Sequence, residues 1–212
     1  SRNHELDVVL PDAPEVAAQL SQILGLAVLP TESFLNMTLG NPGQIIHPGI
    51  MYGLFADWEG QNYAEERIPY FYAHVTDRSG EFVEQLSDEI IAVAKKIETE
   101  SAGALDLSGV LRVHEWLRIS YPTQTTDMTS VATCFRTGPL QHRKAPMLEA
   151  SAGAFVPNFH YRYLTEDVPF GLAVVKAIAQ IADVETPAID AVISWTQGNI
   201  GKKYMADGRL AG

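Results

Sequence analysis

From Ser79 onward the chain repeats large apolar residues at helical spacing. Phe82, Leu86, Ile90, Val93 and Ile97 fall on one face, while Glu84, Asp88, Lys95 and Lys96 fall elsewhere. A helix with such a stripe draws most of its stability from packing against other apolar surfaces, and the chain supplies several. Ser108 to Tyr121 is predicted as a helix with Val110, Val113, Leu117 and Tyr121 buried, ended by Pro122. Phe170 to Ile181 turns Leu172, Val175, Ile178 and Ala179 to a core. Thr186-Pro187 reads as a cap with proline at the first helical position, opening a helix through Ile189, Val192, Ile193 and Trp195. Thr31 or Ser33 can cap a short helix to Leu39, Ile50 to Phe55 continues another, and Thr126 or Asp127 can cap a segment through Phe135. The expected fold class is mainly α.

Strand signals are few. Leu6 to Leu10 is β-like and stopped by Pro11. Asp12-Ala-Pro14 then opens a helix carrying Val16, Leu20, Ile23 and Leu24 up to Gly25, and Leu26 to Pro30 is extended. Asp57 to Arg67 is polar and reads as a loop. Gly138, Pro139, Pro146, Gly153 and Pro157 mark a long irregular stretch before Arg162, a kind of segment that is disproportionately functional.

A formal net charge of -11 argues against nucleic acid and against an anionic membrane surface. No apolar run is long enough to cross a bilayer, and no leader pattern opens the chain. The single cysteine, Cys134, excludes an internal disulfide and reads as a small buried side chain, which fits a reducing, cytoplasmic compartment. His4, His47, His74, His114, His142 and His160 lack the partners and spacing of a metal site. No Gly-x-Gly-x-x-Gly follows a strand, and no nucleophile elbow or lysine-bearing phosphate loop is present.

Two stretches carry candidate chemistry. In Asn41 to Gly53, His47 precedes Pro48. Proline suits a first helical turn and pushes the residue before it out of the α region, so His47 is expected on a loop at a helix mouth. In Pro157 to Gly171, Arg162 and Asp167 stand in aromatic-rich sequence before an apolar helix. Read locally, Asp167 is a helix cap and Arg162 a surface ion-pair partner. Read together with His47, a carboxylate on one imidazole nitrogen would fix the tautomer and raise the basicity of the other. An arginine fork would hold a substrate carboxylate. That set suits a small 2-oxo acid, but no side chain donates a hydride.

The His-Pro-Gly stretch of Asn41 to Gly53 and the run Tyr161-Arg-Tyr-Leu-Thr-Glu-Asp-Val-Pro-Phe-Gly-Leu172 resemble the two signature regions of the octopine/nopaline (opine) dehydrogenase family, from about Thr31 onward. The resemblance implies a helical C-terminal domain similar to that of 6-phosphogluconate dehydrogenase, with His47 and Asp167 as the catalytic pair and Arg162 binding substrate. It implies a tryptophan in the amino-donor pocket, for which Trp116 is the candidate, with Tyr121, Thr125 and Thr126 as further wall residues. It also implies NAD(P)H held mainly by an N-terminal Rossmann domain that this chain lacks. Residues 1–30 would be a remnant of that domain, and 31–212 the helical catalytic domain. A start at Ser1 suggests a fragment, expected to be inactive alone and to bind NADH weakly. The implied partners are a 2-oxo acid such as pyruvate, an amino acid or related amine, the chain's own nucleotide-binding domain, and possible homodimerisation, with no metal, nucleic acid or membrane.

Two other readings stay open. The helical domain of another 2-hydroxy-acid or ketopantoate-type dehydrogenase would use a lysine, yet Lys95, Lys96, Lys144, Lys176, Lys202 and Lys203 stand in no comparable motif. A noncatalytic helical module would use apolar faces and Trp195 for dimerisation. It is distinguished by whether His47 and Asp167 come within hydrogen-bonding reach.

Overall fold

The computed structural model describes residues 6–8, 13–31 and 33–211. The predicted stop at Pro11 and entry at Asp12, with Val9 and Leu10, lie outside the described residues. Strand β1 (Leu6–Val8) pairs in parallel with β2 (Val28–Pro30), joined through helix α1 (Ala13–Leu24). Gly25, at φ +67, ends α1, and the Ser21 hydroxyl accepts from the Val28 amide at 2.9 Å, tying β2 to the helix.

The remainder is mainly helical. Helices α2 (Phe34–Gly40) and α3 (Gly43–Phe55) are followed by the long α4 (Asp77–Glu100), then α5 (Val113–Ser120), α6 (Val131–Thr137) and the single turn α7 (Arg162–Thr165). A π-helical segment, Val168–Leu172, runs into α8 (Ala173–Ile181), and α9 (Pro187–Ile200) closes the bundle. The apolar face of α4 packs on α3, α5, α6, α8 and α9. Ile50, Phe55, Val83, Leu86, Leu172 and Ile189 are almost wholly buried between them. Two glycines set how closely α3 is approached. A Cβ at Gly49 would lie 2.9 Å from the Val83 Cγ2 on α4, and one at Gly171 would lie 2.5 Å from the Gln44 Cβ.

Several boundaries differ from the sequence reading. Helix α4 starts at Asp77, because the Thr76 hydroxyl rather than Ser79 caps it, accepting from the Ser79 amide. The 108–121 helix is only α5: Arg112 is extended, and Val110 is buried from the preceding loop. Tyr121 ends α5 half-buried. Helix α6 is capped by Ser130, since the Asp127 carboxylate is taken by the Thr129 amide and hydroxyl. Thr186 precedes α9 but makes no cap bond with its side chain. The Glu89 carboxylate of α4 accepts from the Ala188 and Ile189 amides at 2.7 and 2.9 Å instead.

The stretch expected to be irregular folds as β4 (Met147–Ser151) and β5 (Ala154–Pro157), turning at Gly153 with φ +71. The polar 57–67 loop contributes β3 (Tyr63–Ala64), making an antiparallel sheet of order β3-β5-β4, and then a 3-10 turn at Glu65–Arg67. β4 is exposed along almost its whole length, so the burial alternation that marks a strand in sequence is missing. A hairpin of β6 (Met205–Ala206) and β7 (Arg209–Leu210) turns on Asp207-Gly208, both at positive φ. Trp195 is partly buried, its ring meeting Tyr52 and Phe159 edge-on, each at 5.5 Å.

Candidate active site

His47 lies inside α3 rather than on a loop at its mouth. The helix starts earlier than Pro48 requires, at Gly43, whose amide donates to the Asn41 side chain at 3.1 Å. Burial of Ile46, Pro48, Gly49 and Ile50 outweighs the bias against a helical residue before proline. Gln44, almost fully buried, donates its side-chain amide to the Thr38 carbonyl at 2.9 Å and to that of Leu39 at 3.4 Å, fixing this end of α3 to α2.

Asp167 enters from the opposite element. Pro169 has no amide to offer, and the ladder here shifts register: the Asp167 amide reaches the Arg162 carbonyl and the Leu172 amide reaches the Asp167 carbonyl. The resulting π-helical turn leaves the Asp167 side chain without a capping role. Its Oδ2 lies 2.8 Å from His47 Nδ1, both side chains being 21 % exposed. An ionised carboxylate only accepts, so Nδ1 carries the proton and donates, leaving Nε2 as the free nitrogen. One turn before Asp167, Tyr163 stacks flat on the imidazole, with centroids 4.0 Å apart and planes 12° from parallel. The ring is buried and braced by Phe71 at 4.9 Å. A single turn of chain thus supplies both the carboxylate and the ring that fix His47.

His47 lines a cavity of 270 Å³ whose wall includes Tyr72, Trp116, Tyr121, Thr125 and Cys134. Trp116 and Tyr121 meet edge-on at 5.8 Å. On the far side of the pair, Asp167 lines a shallow groove with Asn41, Gln44, Glu166, Phe170 and Gly171. Burial, reinforced by Tyr163, pushes the Tyr72 phenol far above its ordinary range, so it stays a neutral donor. Burial also raises the Tyr163 phenol and the Cys134 thiol, the latter remaining protonated and unsuited to nucleophilic attack. Among the described residues no group of three or more His, Cys, Asp or Glu side chains is placed to hold a metal ion.

Of the residues singled out in the sequence, the fold brings His47, Trp116, Tyr121 and Thr125 to one cavity and hydrogen-bonds Asp167 to His47. Arg162 is not on that wall. Its side chain is 62 % exposed, with Nε 3.9 Å from the Glu166 carboxylate. Thr126 is exposed and also off the wall. Cys134 is buried in α6 as expected, but it also faces the cavity. The sequence reading missed Tyr72, Tyr163 and Arg143, whose guanidinium carbon lies 6.0 Å from the Tyr163 ring centre. Tyr163 was visible inside the second motif. Tyr72, in Tyr70-Phe-Tyr72, carried only its aromatic clustering as a signal.

Residues 30–199 match the family model described as the NAD/NADP octopine/nopaline dehydrogenase, alpha-helical domain. Relatives include an opine dehydrogenase of Haliotis discus hannai, 42% identical over 172 residues, which cover 79% of this chain and 41% of the relative. A tauropine dehydrogenase of Arabella iricolor is 37% identical over 182 residues, covering 84% and 44%. Among solved structures, octopine dehydrogenase with NADH and L-arginine superposes with a TM-score of 0.84 at 29% identity, over 92% of this chain and 48% of that one. The chain therefore spans about half the length of the relatives it matches. The chain belongs to the octopine/nopaline dehydrogenase family, as its alpha-helical domain.

Proposed function

We propose that residues 31–212 form the substrate-binding catalytic domain of an opine dehydrogenase, and that residues 1–30 are the end of its nucleotide-binding domain. The whole enzyme would be cytoplasmic, in keeping with one buried thiol. It would join a 2-oxo acid, pyruvate in the first instance, to the amino group of an amino acid or related amine, as the relatives' names suggest. The observation that carries this reading is the 2.8 Å His47–Asp167 bond at the wall of a half-open, aromatic-lined cavity. Its presence disfavours a noncatalytic association module. A lysine-based dehydrogenase is disfavoured too, because no lysine lines that cavity and Lys176 is held in a buried pair with Asp190.

Asp167 holds the Nδ1–H tautomer and stabilises the imidazolium, so that Nε2 can give and take a proton at the keto oxygen. As the amine adds to the carbonyl carbon, protonated Nε2 donates to the developing oxyanion. The now neutral Nε2 takes a proton from the added nitrogen and returns it to the carbinolamine oxygen, which departs as water and leaves an imine between the two substrates. Trp116 and Tyr121 give the donor an apolar wall, and Thr125 a hydroxyl beside it. Arg162 turns from Glu166 to clamp a carboxylate. NAD(P)H supplies the hydride that reduces the imine carbon. The cavity is small for a dinucleotide and has no cationic wall residue for phosphates, which supports binding of that cofactor mainly by the N-terminal half.

The test is an amine panel with the full-length protein. NADH oxidation should require pyruvate and an amine together and yield a secondary amine. Oxidation at the same rate with a 2-oxo acid alone would refute the reading.

A further inference from the structure

The proposed reaction, on which this inference rests, makes a product with two anionic ends when the donor is an amino acid. One comes from the 2-oxo acid and one from the donor. No Lys or Arg lines the His47 cavity, and the imidazole is taken up by the reacting oxygen, so arginines at the rim are the cations left to meet the two ends. Arg162 can meet one of them. The geometry points to Arg143 as the second carboxylate anchor of this site.

Among the described residues Arg143 shares with Arg78 and Arg118 the lack of a carboxylate partner, and what sets it apart is a fixed backbone beside the cavity wall. Arg112, Arg136 and Arg162 face Asp88, Asp77 and Glu166, whereas among the described residues no carboxylate pairs with Arg143. Its backbone is fixed on both sides. The Phe71 amide donates to its carbonyl at 2.7 Å, its own amide donates to Leu140 at 3.1 Å, and the Ala145 amide donates to Pro69 at 2.8 Å. Phe71 is fully buried, and the next residue, Tyr72, lines the cavity with Leu140. The exposed side chain thus starts from a rigid base at the rim. Its guanidinium carbon reaches within 6.0 Å of the Tyr163 ring, which stacks on His47. Its charge acts on the hydroxyls of both Tyr72 and Tyr163, opposing the effect of burial, and the Arg162 charge also acts on Tyr163. The Arg143 guanidinium therefore reaches the ring that covers the imidazole, and the Arg162 charge acts on the same ring's hydroxyl, which suits a substrate pair with an anion at each end.

Full-length enzyme carrying Arg143→Gln and Arg143→Lys tests this, assayed with pyruvate, with an amino acid, and with the same donor lacking its carboxylate. The lost charge-assisted bond predicts a KM rise of about tenfold or more in R143Q, partly restored in R143K, with kcat changing less. A rise for pyruvate assigns Arg143 to the 2-oxo acid. A rise for the amino acid but not for its decarboxylated counterpart assigns it to the donor. Unchanged KM values, a fall in kcat alone, or an equal rise for both donors without one for pyruvate would overturn the anchor. If wild-type enzyme turns over no pair, the dehydrogenase reading fails separately. Calorimetric titration with pyruvate and with the amino acid then decides the anchor, which is overturned unless R143Q weakens one of them about tenfold or more. The side chain is exposed, so the fold should tolerate both variants.

Discussion

Gly171→Ala should break the active site by moving one element against another. A Cβ at this position would lie 2.5 Å from the Gln44 Cβ and 3.1 Å from its side-chain oxygen. Gln44 is almost wholly buried and bonded to Thr38 and Leu39, so it cannot retreat. Restoring an ordinary 3.4 Å contact moves the π-helical segment about 0.9 Å from α3. His47 rides on α3 and Asp167 leads into the moving segment, so a 2.8 Å hydrogen bond would open to about 3.7 Å and be lost. Overpacking costs about 1–3 kcal/mol, read as a fall in Tm. Loss of a charge-assisted bond of about 1.5–3 kcal/mol lowers kcat by about 10- to 150-fold. Gly49→Ala is the control. Its Cβ meets Val83 and Leu86 on the other side of α3, at 2.9 and 3.0 Å, so it should cost comparable stability but less than about threefold in kcat. Thermal melts and steady-state rates of both variants in the full-length enzyme decide the matter. Undiminished kcat in Gly171→Ala, or an equal loss in Gly49→Ala, would refute the coupling.

Two further predictions concern stability. Glu89→Ala removes the carboxylate that holds the first amides of α9, and should lower stability by about 1–2 kcal/mol, read as a lower urea midpoint at neutral pH; an unchanged midpoint would show that the cap contributes nothing. Tyr72 and Tyr163 have phenols raised by burial, so the folded state keeps their protons longer than the unfolded chain does. The stability this gives is complete below the unfolded phenol value of about 10 and is lost as pH rises above it. Tyr72→Phe should flatten the alkaline fall of the urea midpoint, and an unaltered slope would contradict the role of burial.

The helical class was legible because apolar spacing in α4, α8 and α9 follows directly from which face each helix buries. The His47–Asp167 pairing came from the resemblance of two motifs to the family's signature regions; local sequence alone favoured a cap for Asp167, since nothing in it reveals the register shift at Pro169. His47 was misplaced onto a loop because the pre-proline bias is a local preference, overcome here by burial of the residues around it. The caps of α6 and α9 were missed for different reasons. Ser130 competes locally with Asp127, while Glu89 is remote in sequence and reaches α9 only in the folded molecule. Arg143 was invisible for the same reason as Glu89: the Pro69–Phe71 segment that fixes its backbone lies far away along the chain.

The decisive measurement is the turnover of full-length enzyme carrying His47→Ala, with pyruvate and its preferred amine at saturation. Loss of the general acid/base should lower kcat by about a hundredfold to ten-thousandfold, while the thermal midpoint stays close to wild type. Near-native turnover in this variant would contradict the assignment of the His47–Asp167 pair as the proton-transfer centre.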